Sequence, residues 1–162
     1  MDVVPCRLLD VYPSTSNSAT KSMKPRLKVI TLGVGDLEAA LVFYRDGLGL
    51  PTQGIIGTEF EDGAVVFIEL NDGLILALYP RASLAREANV PIGPPNAAEF
   101  TLGHNVASKA EVDAVMAQAK AAGARITDPA RDRFWGGYAG HFQDLDGHLW
   151  EIAWNPAWDV PE

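Results

Sequence analysis

Two acidic residues lie in strand-like segments whose alternation turns them to one side. Over 99–105, Glu99, Thr101 and Gly103 share a face opposite Phe100 and Leu102; over 148–154, Leu149, Glu151 and Ala153 oppose Trp150 and Ile152. Two carboxylates aimed at one volume resist double ionisation, so one can hold a proton while the other accepts one. That is acid/base chemistry of the kind that moves a proton α to a carbonyl. A plainer arrangement fits the same residues: Glu99 at a solvated strand end, and Glu151 ion-paired to an arginine such as Arg133.

Three histidines could add to this chemistry. His141 has the parity opposite to Phe142, which should face a helix, so it is placed on the side of the acids as a ligand, a proton carrier or a wall residue. His104 has the parity opposite to Glu99, and His148 follows Gly147 in a turn, where a surface role is expected. Trp135 and Tyr138 flank Gly136-Gly137, and this aromatic loop reads either as a lid stacking on a planar or cationic ligand or as cover for a sheet edge. Thr101, Trp135, Tyr138 and His141 are therefore the expected ligand contacts.

The elements that must carry these residues repeat. Thr31-Leu32-Gly33 heads a helix-like segment ending at Gly47-Leu48-Gly49, and Thr101-Leu102-Gly103 heads another ending at Gly123, an offset of 101 − 31 = 70 residues. Asp72-Gly73-Leu74 and Asp146-Gly147-His148 then open similar closing strands. Each copy reads as a βαβββ module. In the first, a strand over 27–34 precedes a helix capped by Asp36, followed by strands near 53–58, 64–70 and 74–79. In the second, a strand over 99–105 precedes a helix opened by the capping box Ser108-Lys109-Ala110-Glu111, followed by strands near 125–127, 138–143 and 148–154.

The fold class expected is α+β: two βαβββ modules building a curved eight-stranded mixed sheet in the form of a cup. A single domain over 27–158 is divided into module one at 27–80, a linker at 81–97 and module two at 98–156. Residues 1–26 read as a disordered tail, with Met23 as the natural start.

At 162 residues and 48% hydrophobic content, the chain is long enough for one real core. Its net charge of −8 argues against nucleic acid as the main partner and favours a small neutral or cationic ligand. Cys6 is the one cysteine, so no disulfide framework or thiolate metal site is expected. No apolar run approaches the roughly 20 residues of a membrane helix, and the start lacks the pattern of a secretory signal. A cytoplasmic location with no membrane partner is the expectation.

Several of these motifs carry a family resemblance. Val29-Ile30-Thr31-Leu32-Gly33-Val34-Gly35-Asp36-Leu37, Phe43-Tyr44, Gly47-Leu48-Gly49-Leu50 and Asp144-Leu145-Asp146-Gly147-His148-Leu149-Trp150-Glu151 resemble the vicinal oxygen chelate superfamily, over about residues 27–156. That superfamily includes glyoxalase I, bleomycin-resistance proteins, fosfomycin-resistance enzymes and extradiol dioxygenases. The aromatic loop and Ala153-Trp154-Asn155-Pro156 are similar to a bacterial glyoxalase-like subgroup, while Leu145 stands where the family usually has proline.

The resemblance implies a homodimer and a cup with four equivalent slots for metal ligands. They fall here on Val29, Ala77, Glu151 and, by the 70-residue offset, Glu99. The first-slot histidine is thus replaced by Val29. Glu99 and Glu151 could hold Mg²⁺ or Mn²⁺, whereas zinc or Fe(II) would usually recruit imidazoles. The resemblance makes Glu151 the base, with Glu99 as its acidic partner. Two readings follow: a glyoxalase-like lyase or isomerase acting on a small oxygenated molecule, or a metal-free protein that sequesters a ligand as bleomycin-resistance proteins do. An extradiol dioxygenase is disfavoured, because its two-histidine, one-carboxylate triad is missing from the matched slots.

Overall fold

The computed structural model describes residues 27–94, 96–97, 100–158 and 160. The tail expected over 1–26, with Cys6 and the Met23 start, and Glu99 all lie outside the described residues. The first module runs β1 (Val29–Val34), α1 (Leu37–Leu41) with a π-helical continuation over Val42–Gly47, β2 (Thr52–Ile56), β3 (Val65–Glu69) and β4 (Ile75–Pro80). The second runs β5 (Thr101–Asn105), α3 (Lys109–Ala121), β6 (Arg125–Asp132), β7 (Tyr138–Gln143) and β8 (Leu149–Trp154). Between them, α2 spans Arg81–Ala88.

Local chemistry accounts for the helix starts. Asp36 Oδ1 accepts from the Ala39 N–H at 3.0 Å. At α3 the Glu111 N–H donates to the N-cap Ser108 Oγ at 3.2 Å, and the Glu111 carboxylate reaches back one residue beyond the cap, Oε2 accepting from the Ala107 N–H at 3.0 Å. The eight strands make two four-stranded mixed sheets, ordered β1-β4-β3-β2 and β5-β8-β7-β6. In each, the first and last strands pair parallel and the remaining neighbours antiparallel. The helix after the first strand supplies the crossover that parallel neighbours require.

Two elements are longer than their sequence suggests. The first half of the expected linker, Arg81–Ala88, is the helix α2, ended by Asn89 in the left-handed region at φ 53°. Strand β6 runs eight residues rather than three. Pro129 does not stop it, because β6 is an edge strand and the ladder is irregular between Asp128 and Arg131.

One buried cluster runs through both modules, from Leu32, Val34, Phe43 and Tyr44 to Val112, Met116, Phe142 and Trp150. Each such side chain contributes about 1.5–3 kcal/mol on burial, against about 0–1 kcal/mol for an exposed ion pair. The modules are therefore held mainly through their helix sides, which leaves the opposite sheet faces for ligands.

The loop from β2 to β3 closes by backbone contact. Gly57 has φ +75°, and a Cβ there would run into the Gly63 carbonyl. The loop presents Asp62 to α2, where Ser83 Oγ donates to Asp62 Oδ1 at 2.7 Å and Arg86 pairs with the same carboxylate. The Arg86 hydrogen bond, followed by that of Ser83, pulls the Asp62 pKa down to about 2. Gly57→Ala is expected to lower stability by about 2–3 kcal/mol through the left-handed φ and the displaced carbonyl. Urea denaturation checks this, and a loss below about 0.5 kcal/mol would show that the loop relaxes freely.

Candidate functional site

The ladders decide which positions of the two modules correspond. Thr31 pairs with Ala77, and Gly103 pairs with Glu151. The first strands are therefore related by 103 − 31 = 72 residues, and the helix caps Asp36 and Ser108 agree, since 108 − 36 = 72. The twin of Val29 is Thr101 and not Glu99, because hydrogen-bond register rather than the local Thr-Leu-Gly match sets equivalence. The spacing of the two caps was the signal in the sequence that could have found this.

The four slots thus read Val29, Ala77, Thr101 and Glu151. Val29 and Ala77 offer no donor atom, and the Thr101 hydroxyl donates to the Leu149 carbonyl at 3.3 Å. Among the described residues no three His, Cys, Asp or Glu side chains gather as a metal would need. Among the described residues the donor set does not fit the divalent metal that the resemblance implies.

The first-module slots instead floor an open, mainly apolar cleft of about 610 Å³, lined by Val29, Thr31, Val65, Phe67 and Ala77, bordered by Leu84 and Ala88 of α2, with the acids Asp62 and Glu87 also in its lining. Phe67 also borders a second cavity of about 500 Å³ with Pro51, Ile56 and Glu69. Helix α2, read as linker from sequence, is what turns the face of this sheet into a pocket.

The second sheet carries a polar line on the corresponding face. His141 pairs with Glu151 across β7 and β8, and with Asp128 across β6 and β7. Its Nε2 lies 3.8 Å from Glu151 Oε1 and its Nδ1 lies 3.8 Å from Asp128 Oδ2. These separations exceed hydrogen-bonding distance, so the ring stands between two carboxylates with room for a small shift or a bridging group. Arg133 Nη2 donates to Asp128 Oδ2 at 2.7 Å, so its partner is Asp128 and not Glu151. The Arg133 hydrogen bond, then that of Arg131, holds the Asp128 carboxyl below the usual carboxylate range.

The aromatic residues separate. Trp135 is partly exposed and its ring lies directly over Gly137, where any Cβ would collide with it. Phe134, at the tip of the same turn, is fully exposed. Tyr138, expected to contact ligand, faces α3 instead: its hydroxyl donates to Asp113 at 2.9 Å and Lys109 Nζ sits 5.5 Å from its ring centroid. Tyr138 shares strand parity with the buried Phe142, which already implied the helix side.

His148 is not at a free surface either. Its Nδ1 lies 2.8 Å from Asp144 Oδ2, and Asp144 Oδ2 also accepts from the Tyr44 hydroxyl of the other module at 2.7 Å. Neither Asp144 nor Tyr44 was singled out from sequence for this role. His104 is exposed on the helix-side parity, away from the polar line.

The sequence model of the Glyoxalase/Bleomycin resistance protein/Dioxygenase superfamily matches residues 26–152. Among solved structures, the chain is similar to a glyoxalase-related enzyme from Fulvimarina pelagi at 35% identity and TM-score 0.73, over 85% of this chain and 94% of that one. It is similar in fold to a lactoylglutathione lyase from Agrobacterium tumefaciens at 22% identity and TM-score 0.61, over 86% and 100%. A fosfomycin resistance protein from Listeria monocytogenes is likewise similar in fold, at 22% identity and TM-score 0.58, over 80% and 90%. None of the curated proteins matches the chain.

Proposed function

Because the chain belongs to the glyoxalase/bleomycin resistance protein/dioxygenase superfamily, we propose that it is a glyoxalase-like small-molecule enzyme of lyase or isomerase type that works without a bound metal. The observation carrying this reading is the placement of His141 between Glu151 and Asp128, 3.8 Å from each. In this scheme Glu151 takes the proton α to a substrate carbonyl, and the C–H electron pair moves into an enolate. His141 donates through Nε2–H to the oxygen on which charge develops, the role a metal has in related sites. In an isomerisation Glu151 then returns its proton to the former carbonyl carbon while the α-hydroxyl proton passes by way of His141 Nε2 to the enolate oxygen; in a lyase reaction Glu151 protonates the departing group instead.

A second reading rests on a separate observation. The apolar cavity over Val29, Phe67 and Ala77 suits a ligand held by burial rather than by donor atoms. A ligand-sequestering protein of the bleomycin-resistance kind would use that cavity and need no proton transfer.

The experiment is proton exchange in D₂O, followed by NMR, on chelator-treated protein with a panel of small α-oxygenated carbonyl compounds that includes a thiohemiacetal. Deuterium appearing at the α carbon with the metal removed is the expected result. Exchange that returns only with added Mn²⁺ or Ni²⁺ would sink the metal-free scheme, and binding without exchange would select the sequestering protein.

A further inference from the structure

A neutral imidazole between two carboxylates has one N–H to place. The two carboxylates facing His141 are not alike. The Glu151 side chain has no hydrogen bond or ion pair other than the His141 contact among the described residues. Asp128 is engaged on both oxygens, by Arg133 at 2.7 Å and by Arg131 at 3.3 Å.

Of the two arginines, Arg133 is the placed one. Its side chain is 15% exposed against 66% for Arg131. Its Nη2 also donates to the Ala139 carbonyl at 2.8 Å, which ties the guanidinium to β7 two residues before His141. Its Nε is buried with no acceptor among the described residues.

We propose that Arg133 is a positioning residue: by occupying Asp128 it stops that carboxylate from drawing the His141 proton, which therefore stays on Nε2 and points toward Glu151. The functional meaning rests on the acid/base reading of Glu151 and His141 given above. The arrangement itself does not need a substrate to be measured. With Arg133 in place, a charge-compensated Asp128 competes weakly for the ring proton, and the uncompensated Glu151 sets its direction.

The test is the tautomer of His141, read by long-range ¹H–¹⁵N correlation on histidine-labelled full-length protein at a pH where the ring is neutral. The three histidines are assigned with a His141→Gln spectrum. Wild type is expected to hold mainly the Nε2–H form. Arg133→Gln should raise the Nδ1–H share several-fold, and the double variant Arg133→Gln/Asp128→Asn should return it to the wild-type ratio. Arg131→Gln should change it little, and Arg133→Lys, which keeps the charge, should remain close to wild type.

An unchanged ratio in Arg133→Gln would overturn the proposal. So would a double variant that keeps the raised Nδ1–H share, because a merely structural role predicts no such reversal. If Arg133→Gln fails to fold, Arg133→Met, which keeps the bulk without the charge, takes its place: a raised Nδ1–H share is expected, and a wild-type ratio there overturns the proposal. A failed exchange experiment would remove the enzymatic reading and leave this result standing, and the converse also holds.

Discussion

Asp144→Ala is expected to lower stability by about 3–5 kcal/mol, the cost of breaking a buried charged network from one side. The Asp144 side chain is 1% exposed and satisfies four donors. Oδ2 accepts from the Tyr44 hydroxyl at 2.7 Å and sits 2.8 Å from His148 Nδ1; Oδ1 accepts from the backbone N–H of Asp146 at 3.0 Å and of His148 at 2.7 Å. Trp150 Nε1 in turn donates to the Tyr44 hydroxyl at 3.1 Å. Tyr44 belongs to module one and the others to module two, so the network joins the two copies of the repeat. A domain of this size is typically stable by about 5–15 kcal/mol, so the loss should appear as a large drop in the urea midpoint. A change below about 1 kcal/mol would mean that the apolar contacts around Tyr44 and Trp150 hold the modules unaided.

The same network gives stability a pH profile. Burial alone would raise the Asp144 pKa, but the hydrogen bonds from His148 and Tyr44 outweigh it and the carboxyl titrates below its ordinary range. Burial alone would lower that of His148, but the hydrogen bond and charge of Asp144 outweigh it and the imidazole titrates above its ordinary range. The Asp144 contribution is fully present above about pH 4 and fades as pH falls through its depressed value. The His148 contribution is fully present below about pH 6.5 and fades as pH rises through its raised value. Wild-type stability should therefore peak between these limits.

Much of this could be read along the chain, and the reasons differ by residue. The βαβββ plan was legible because Asp36, Ser108 and Glu111 announce helix starts chemically, and because alternation separates Leu32 from Thr31 and Trp150 from Glu151. Strand parity puts His141 on the face of Glu151, and the β7–β8 ladder pairs the two residues. The same parity, applied to Tyr138, would have turned it toward α3. What sequence could not supply was register: Thr31-Leu32-Gly33 and Thr101-Leu102-Gly103 look like twins, yet the ladders shift them by two residues. Helix α2 was hidden although Arg81–Ala88 is rich in helix formers, because Pro80 before it and the proline-rich stretch from Pro91 after it make the segment read as a linker. The roles of Asp128 and Arg133 depend on a ladder irregularity beside Pro129, with Asp128 set against His141 and Arg133 against Asp128 and no periodic trace of either.

Glu151→Gln is expected to reduce α-proton exchange by about 10²–10⁴-fold, the range over which a positioned general base contributes. Glutamine keeps the shape and removes both the charge and the basicity, so the β7–β8 ladder and the cavity over Val29 and Ala77 should persist. Binding of a competent substrate should then change by less than about threefold, a fraction of a kcal/mol. That split between rate and affinity separates the two functional readings. A sequestering protein would lose neither, since its ligand rests on the apolar floor formed by Val29, Phe67 and Ala77. A protein whose Glu151 only pairs electrostatically with His141 would lose stability without a selective loss of exchange. The decisive comparison is exchange rate against urea midpoint in the same variant. If both fall in proportion, or the rate stays within about tenfold of wild type, a difference near 1.4 kcal/mol, the base lies elsewhere and the proposed chemistry is wrong.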